Sequence, residues 1–373
     1  MNLFENSTHF EKVADSAGKV TFYRLKPELT VHQALTPDAG ECFSSDSRYL
    51  WFSVVYAPNG FLPGGRRAEA VWCADSDEII PHRDVQPDHG FLVSPDGSAF
   101  WSTTNQILKK APARDSAVER VLEVPADMRV FPGFAASRIT FTADRRSLMI
   151  DISEADSVSM CSLEHANGCL TRWNKLTGGW RMPDANPRHE GRVLFVRGDW
   201  KEYATGKKHS VERDENGNLK SVWILNQGGV CECVNTGKKP VYQSVWDNTG
   251  DSVLYCTDEG LFSVNPERSE TECIVRDAVR SFSLSANGAY LCYDRVNQTE
   301  SPATDWVFVN LKTGRQVSFK AGDTAIPSCA RGYGVESAPR FASDGKLVAF
   351  NMVGNDTVSP AFCFVDELIS MTK

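Results

Sequence analysis

The sequence is poor in features that mark several common protein classes. No stretch approaches the roughly 18 apolar residues that a membrane-spanning helix needs, and the apolar run from Leu50 to Ala57 has only the length of a strand. Residues 1–17 are polar and carry Glu5, Glu11 and Asp15, so they lack the apolar core of a signal peptide. We therefore expect a cytoplasmic protein that does not bind a membrane.

Basic charge is also scarce. Lysine and arginine total 40, against 48 aspartate and glutamate residues, which gives a formal net charge of −8. No run of basic residues of the kind that follows a phosphate backbone is present, so we expect no nucleic-acid partner. An acidic chain can still carry a local basic pocket, which keeps an anionic sugar compatible with this composition.

Familiar catalytic and metal-binding motifs are missing as well. The chain has no G-x-S-x-G elbow, P-loop, H-E-x-x-H motif or Asp-rich calcium loop. All seven histidines lie within the first 209 residues, which excludes a histidine-rich metal centre built from the C-terminal part. The 11 cysteines are scattered, many in apolar runs, and we expect them to be reduced. Cys231 and Cys233 form a C-x-C pair, but no second pair completes a zinc site.

What the sequence does contain is a repeat. A short apolar strand, a tight polar turn and a second apolar strand recur seven times. The copies are "CFSSDSRYLWFSV", "GFLVSPDGSAFWST", "ITFTADRRSLMIDI", "MPDANPRHEGRVLFV", "SVWDNTGDSVLYCT", "SFSLSANGAYLCYD" and "PRFASDGKLVAFNM", with turn anchors at Asp46, Asp96, Asp144, Glu190, Gly250, Asn287 and Asp344. The mean spacing of about 50 residues is typical of propeller blades and not of helical repeats. Turn pairs such as Asp-Gly and Asn-Gly supply the positive φ that hairpins require.

The repeat predicts an all-β, seven-bladed β-propeller that occupies residues 1–373 as one domain. The segment "GKVTFYRL", residues 18–25, precedes the first copy and has no blade of its own. We expect it to pair with "PAFCFVDEL" in the last blade, because this pairing would hide an open sheet edge and close the ring. No convincing amphipathic helix is expected anywhere in the chain.

Several of these segments also resemble one known family. "FEKVADSAGKVTFYRL", "GFLVSPDGSAFWSTTNQILKKA", "RVLFVRGDW" followed by "SVWILN", "YQSVWDNTGDSVLYC" and "ESAPRFASDGKLVAF" follow one another along nearly the whole chain. In that order they are similar to the oligogalacturonate lyases. The resemblance implies a cytoplasmic seven-bladed propeller that cleaves short pectin fragments by β-elimination, generally with a manganese ion. The family also has a histidine at the place of His32.

The departures from the family fall where the chemistry would be. A His-Glu-Phe-Trp phrase of the fifth blade becomes Gln243 to Trp246, and the fourth-blade histidine becomes Arg197. The paired histidines before the last blade become residues around Glu336. The resemblance therefore suggests manganese, while its histidine ligands are missing, so we expect altered or lost metal dependence and assign no metal ligand. Gln243 and Glu336 alone would make a weak cation site.

Elimination from a uronate needs three functions: neutralisation of the carboxylate, a base for the C5 proton and an acid for the leaving oxygen. Arginine can perform the first, because it grips a planar carboxylate with two hydrogen bonds. The candidates for it are Arg197, Arg280, Arg331 and Arg340. His89, Tyr242 and Tyr333 are the candidates for proton transfer.

The expected site combines these residues. Catalytic roles are predicted for Arg197, His89 and Tyr242, and substrate binding for His32, Trp200, Gln243, Trp246, Arg280, Arg331, Tyr333, Glu336 and Arg340. Trp200 and Trp246 would stack on sugar rings, although tryptophan residues of propellers more often lie in the core of a blade. The charged segment from Gly198 to Asn218 is either a solvated loop or a lid over the channel. Two functions stay open: a lyase acting on an acidic oligosaccharide, and a non-catalytic propeller that binds a sugar or a protein.

Overall fold

The computed structural model describes residues 3–14, 19–36, 41–56, 67–129, 134–202, 204–295, 305–320, 337–354 and 357–373. These residues form seven antiparallel sheets of four or five strands, one for each copy of the repeat, and one additional two-stranded sheet; the seven larger sheets make the predicted seven-bladed propeller. Within them, the longest helix has seven residues, so none is long enough to cross a membrane.

Chain order begins with β1 (Phe10–Ala14) and β2 (Thr21–Leu25), which belong to the last blade. Blades 1 to 3 have four strands each, and their strands are given from the channel outward. Blade 1 contains β3 (Gln33–Ala34), β4 (Tyr49–Val55), β5 (Arg67–Cys73) and β6 (Glu78–His82). Blade 2 contains β7 (Phe91–Val93), β8 (Ala99–Ser102), β9 (Gln106–Lys110) and β10 (Glu119–Glu123), followed by a 3-10 turn at Ala126–Met128. Blade 3 contains β11 (Thr140–Phe141), β12 (Ser147–Glu154), β13 (Ser157–Glu164) and β14 (Cys169–Thr177).

Blade 4 differs because a small hairpin is inserted between its second and third strands. It contains β15 (Gly179–Ala185), β16 (Arg192–Gly198), the hairpin β17 (Trp200–Lys201) and β18 (Lys208–His209), then β19 (Val222–Asn226) and β20 (Cys231–Val234). Blade 5 contains β21 (Gln243–Trp246), β22 (Val253–Thr257), β23 (Gly260–Asn265) and β24 (Glu270–Val275). Blade 6 contains β25 (Val279–Leu284), β26 (Tyr290–Arg295), β27 (Asp305–Asn310) and β28 (Gln316–Lys320).

Blade 7 closes the ring in the way that the sequence predicts. It contains β29 (Arg340–Phe341), β30 (Leu347–Gly354) and β31 (Thr357–Phe364). Strand β2 then pairs antiparallel with β31, with Tyr23 opposite Phe362, and β1 pairs with β2 as a fifth strand. The pairing of "GKVTFYRL" with "PAFCFVDEL" is thus confirmed.

One short helix departs from the expectation of no helices. Helix α1 (Val365–Met371) follows β31 and buries Val365 and Leu368 against the cluster between blades 6 and 7. Seven residues span only two turns, which is too short for an apolar periodicity to be visible in the sequence. Glu367 also accepts a hydrogen bond from the backbone N–H of Thr21 at 3.1 Å, so the helix supports the closure.

The turn between the first two strands has the same geometry in six blades. In each, the N–H of the fourth turn residue donates to the carbonyl of the first, and this fourth residue has a positive φ. The six fourth residues are Ser47, Gly97, Arg145, Gly250, Gly288 and Gly345. An Asp or Asn in the turn also accepts a backbone N–H two to five residues later, as Asp96 does from Ser98 at 3.0 Å. Blade 4 has a longer connection instead, closed by the N–H of Asn186 on the carbonyl of Arg192.

Side chains of one inner strand bind the backbone of the next inner strand, which holds neighbouring blades together. The pairs are Thr140 with Ala185 at 3.1 Å, Asp184 with Trp246 at 2.9 Å, and Ser283 with Phe341 at 3.1 Å, each side-chain oxygen accepting the backbone N–H. At the junction of blades 7 and 1, Asn351 accepts the N–H of Leu35 at 2.7 Å. Buried backbone donors at the inner strands are thereby satisfied across blade boundaries.

The cysteines are mainly packing residues. All ten that lie in the described residues are free thiols, and six of them are buried: Cys42, Cys73, Cys161, Cys256, Cys292 and Cys363. Burial raises the pKa of the Cys73 thiol to about 11, which makes it unreactive near neutral pH. The C-x-C pair is less buried, with Cys233 exposed on β20.

Candidate functional site

One end of the central channel is formed by the residues at which the inner strands begin. His89, Tyr242 and Arg280 each stand five positions before the first residue of the turn in blades 2, 5 and 6. Arg181 is the equivalent residue of blade 4, because it precedes the Asp184 side-chain contact by three residues, as Arg280 precedes that of Ser283. Since all inner strands run in the same direction, the topology brings these four side chains to one end of the channel.

These four side chains are exposed to solvent, and Tyr242 is 46% accessible. A β-bulge interrupts the inner strand beside each of the two arginines, between Arg181 and Asp184 in blade 4 and between Val279 and Phe282 in blade 6. Bulges change the direction in which neighbouring side chains project and are frequent beside active sites. The ring of His89, Arg181, Tyr242 and Arg280, here called the rim, is the candidate binding surface.

The equivalent positions of blades 3 and 7 are occupied by Ser137 and Ser337, which bind to carboxylates within the protein. The hydroxyl and N–H of Ser137 bond to Asp151 at 2.6 and 2.7 Å, and the hydroxyl of Ser337 donates to Asp294. Burial raises the pKa of Asp151 to about 7, although the Ser137 hydrogen bonds oppose this rise. These two serines therefore connect strands inside the fold instead of facing a ligand.

Arg197 lies beside the rim on β16, where it pairs with Trp180 of β15. Its guanidinium carbon is 5.0 Å from the centroid of the Trp180 ring, and its Nη1 is 3.2 Å from Oε1 of Glu212. The side chain is thus held by a cation–π contact and an ion pair. A protonated guanidinium has no acceptor, so Arg197 can attract an anion but cannot serve as the base.

Gln243 and Trp246 connect blades. Both ends of the Gln243 amide are used on the backbone of Phe282: its Nε2 donates to the carbonyl at 3.1 Å, and its Oε1 accepts the N–H at 2.9 Å. Trp246 is 5% accessible, and its indole N–H donates to the carbonyl of Asp184 at 3.1 Å. Because a buried indole offers no open face to a sugar ring, we leave both residues out of the proposed site.

Trp200 has a different environment, because it begins the inserted hairpin of blade 4. Its ring stacks on the imidazole of His209, with centroids 4.4 Å apart and planes inclined by 9°. The indole is only partly buried, and it lies next to the start of β15. The charged segment after Gly198 therefore contains a hairpin, which packs on the rim end of blade 4.

His32 and Arg340 lie at the junction of blades 1 and 7. His32 is 4% accessible and forms a parallel bridge with Val358. Arg340, on β29, donates from Nη1 to the carbonyl of Thr36 at 3.4 Å. Beside it, burial raises the pKa of the Glu41 carboxyl to about 7, although the Arg340 charge opposes this rise. Arg331, Tyr333 and Glu336 lie outside the described residues.

Two residues of interest were not among the sequence candidates. Arg181 could have been found by aligning the inner strands on the residues that contact the next blade, but the irregular turn of blade 4 hides this register in the sequence. Glu41 carries no signal in the sequence, because the main cause that raises its pKa towards neutrality is burial, with a smaller contribution from the charge of Asp344. A carboxyl group with a pKa near 7 can accept or give up a proton at physiological pH.

The residues that are present do not fit the manganese site implied by the resemblance. At the fifth-blade position both ends of the Gln243 amide are bonded to the backbone of Phe282, and at the fourth-blade position a cationic arginine repels a metal ion. Among the residues that the structure describes, no group of three or more His, Cys, Asp or Glu side chains is placed to hold a metal. We therefore derive no reaction step through manganese.

Comparison with known proteins extends the sequence resemblance to the fold. No protein-family profile matches the chain, and no curated protein sequence matches it. Among solved structures, an oligogalacturonate lyase in complex with manganese is similar with a TM-score of 0.73 and 14% identity, over 95% of this chain and 96% of that one. The oligogalacturonate lyase of Vibrio parahaemolyticus gives a TM-score of 0.73 and 15% identity, over 96% and 97%.

A more distant likeness is to the hydrazine synthase of Kuenenia stuttgartiensis, with a TM-score of 0.53 and 12% identity over 87% of this chain and 96% of that one. Because the sequence identities are only 12–15%, these comparisons show a similarity of fold alone. This chain has the propeller fold of the oligogalacturonate lyases along almost its entire length, as the sequence resemblance predicts.

Proposed function

We propose that the protein is a lyase-like propeller that binds an acidic, uronate-containing oligosaccharide at the rim and cleaves it by β-elimination without depending on manganese. The observation that carries the proposal is the rim itself. Two exposed arginines, a histidine and a tyrosine occupy equivalent positions at one end of the channel in a protein of net charge −8. The fold shared with two oligogalacturonate lyases supports the choice of a uronate among possible anions.

The proposed chemistry assigns one task to each type of rim residue. Arg280 pairs with the carboxylate of the reacting uronate, and this charge pairing stabilises the enolate-like state that forms when the C5 proton leaves. As the C5–H bond breaks, its electrons form a C4–C5 double bond, and the C4–O bond breaks to release the leaving oxygen. No electrons are exchanged with an external oxidant, and the leaving oxygen takes up a proton.

Two proton transfers are needed, and three groups are available for them. His89 and Tyr242 are exposed at the rim, and neutral histidine is the side chain best suited to accept a proton near pH 7. Glu41, with a pKa of about 7, is the third group. We assign the base to His89 and the acid to Tyr242. A role for Arg197 in the reaction stays a prediction.

The test combines turnover and binding. Trigalacturonate, polygalacturonate and other uronates are incubated with the protein, and the unsaturated product is followed by its ultraviolet absorbance, with manganese or with a chelator. We expect turnover that chelation leaves unchanged, loss of it in Arg280→Ala, and loss of turnover with retained binding in His89→Ala. Arg146→Ala, which removes an exposed arginine from the opposite end of the channel, is the matched control. No turnover and no binding of any uronate would refute the proposal.

A second candidate is a non-catalytic propeller that binds the same ligand. The observation that favours it is Arg197, which stands where the resemblance places a histidine and cannot accept a proton. Calorimetric binding of trigalacturonate without turnover in any condition would select this candidate over the lyase.

A further inference from the structure

The hairpin of blade 4, formed by β17 and β18, is not required by the propeller fold. It lies between the second and third strands of the blade, and it leaves β16 directly after Gly198, which pairs with Gly179 at the start of β15. The hairpin therefore emerges at the rim end of the inner strand, at the level of Gly179, which is two residues before Arg181. This places it next to Arg181.

Several contacts fix the hairpin in this position. His209, which stacks on Trp200, is also bonded through Nε2 to Oε1 of Glu202 at 2.7 Å. Asp199 accepts the N–H of Val211 at 2.7 Å. These contacts hold the Trp200 ring in one orientation, so less side-chain conformational entropy is lost when a ligand binds.

Two glycines allow Trp200 to approach the inner strand. A Cβ atom at Gly179 would lie 2.8 Å from the Cβ of Trp200, and one at Gly178 would lie 3.3 Å from its Nε1. Both distances are shorter than ordinary van der Waals contacts. The indole is therefore seated on the backbone at the start of β15.

The guanidinium of Arg181 lies at the base of the same hairpin. A Cβ atom at Gly198 would be 3.6 Å from Nη2 of Arg181. The side chain is exposed, and within the described ranges it makes no ion pair with a carboxylate. An exposed guanidinium beside a partly exposed, fixed indole is a pair suited to a ring that carries a carboxylate, because the first binds the charge and the second packs on the ring.

We infer that Arg181 and the Trp200–His209 stack form a second binding subsite, which holds another uronate unit of the oligosaccharide that Arg280 binds. The inference rests on the proposed function for the identity of the ligand. Arg181 binds the carboxylate of this unit with two parallel hydrogen bonds, while the exposed part of the Trp200–His209 stack packs against its sugar ring. The hairpin thereby selects oligosaccharides over single uronates.

The test measures the affinity for trigalacturonate by calorimetry in the wild type, Arg181→Ala, Arg181→Lys and Trp200→Leu, with Arg146→Ala as the control of equal charge change. Removal of a charged hydrogen-bonding group should weaken binding by about tenfold to a hundredfold. We expect this loss in Arg181→Ala, a partial loss in Arg181→Lys and no change in Arg146→Ala. Arg181 is exposed, so its replacement should leave the fold intact. The Arg181 variants therefore test the subsite even if Trp200→Leu unfolds the hairpin.

Two further ligands identify what the subsite recognises. A neutral trisaccharide should not bind, and inorganic phosphate should not displace trigalacturonate, because neither offers a carboxylate on a sugar ring. Equal affinities of Arg181→Ala and Arg146→Ala for trigalacturonate would overturn the subsite while leaving the roles proposed for Arg280, His89 and Tyr242 intact. Displacement by phosphate at a matching concentration would also overturn it, since the site would then be a general anion site. A wild type that binds no uronate would refute both proposals.

Discussion

Phe4 connects the two ends of the propeller ring, and its replacement by alanine tests how the ring is closed. The Phe4 ring contacts five aromatic rings, with centroids between 4.8 and 6.2 Å away: Phe10, Tyr23, Trp72, Phe362 and Phe364. Trp72 belongs to blade 1, while Tyr23, Phe362 and Phe364 belong to blade 7. One side chain therefore fills the space between the first and last blades.

The magnitude follows from the burial of this ring. Phe4 is 2% accessible, and truncation of a buried phenylalanine to alanine costs about 3–5 kcal/mol. The segment around it has a second anchor, because Asp77 of blade 1 accepts the N–H of Thr8 at 2.8 Å. The cavity therefore cannot collapse freely, and we expect a loss towards the upper part of this range.

The assay is equilibrium unfolding in guanidinium chloride, followed by tryptophan emission and by circular dichroism. We expect a lower midpoint in Phe4→Ala by both probes, because the closure contributes to the stability of the whole ring. Leu3→Ala, which truncates an adjacent apolar residue that is 37% accessible, is the control and should lie within about 0.5 kcal/mol of the wild type. If Phe4→Ala unfolds like Leu3→Ala, the closure does not depend on this contact. An early emission change alone would mean that the N-terminal segment undocks locally.

Two further predictions concern the turns and a buried acid. Gly97 and Gly345 occupy equivalent turn positions with positive φ, but a Cβ at Gly97 would lie 2.4 Å from the Tyr49 ring, whereas a Cβ at Gly345 meets nothing within 4 Å. Both alanine variants should lose about 1 kcal/mol to backbone strain, and Gly97→Ala about 1–3 kcal/mol more from overpacking; equal unfolding midpoints would contradict this reasoning. Burial raises the pKa of Asp151 from its usual value of 3.8 to about 7. Between these two pH values the folded protein keeps the Asp151 proton, whereas the unfolded chain releases it. The free energy of unfolding therefore falls as the pH rises from about 4 through 7. Melting temperatures of Asp151→Asn should therefore fall less than those of the wild type over this pH range, and parallel pH profiles would refute the assignment.

The sequence was informative wherever structure depends on neighbours in the chain. The turns could be located because Asp, Asn and Gly act within four residues, as in the turn that ends at Gly97. The closure by β2 could be anticipated because an apolar strand without a blade must find a partner. Neither conclusion needed the position of a distant side chain. Helix α1 was missed because two turns carry too little periodicity.

The candidate site was only partly accessible to such reasoning. His89, Tyr242 and Arg280 were selected for their side-chain chemistry, and their common level in the inner strand follows from their equal distance to a regular turn. Arg181 escaped because the connection that follows it is irregular. Trp246 looked as suitable as Trp200 in the sequence, yet it is buried and Trp200 is not.

The sequence by itself determined the architecture: seven blades, their order, and a ring closed by the N-terminal strand. These follow from alternating burial and from turn chemistry, which act over a few residues and are repeated seven times. Only the tertiary structure decided which polar residues stay exposed and which bind to other parts of the protein. Gln243 is used on Phe282 of the next blade, and Arg181 is left exposed beside a hairpin. The physical reason is that burial and hydrogen-bond partners at an inner strand come from neighbouring blades, and the local sequence does not contain them.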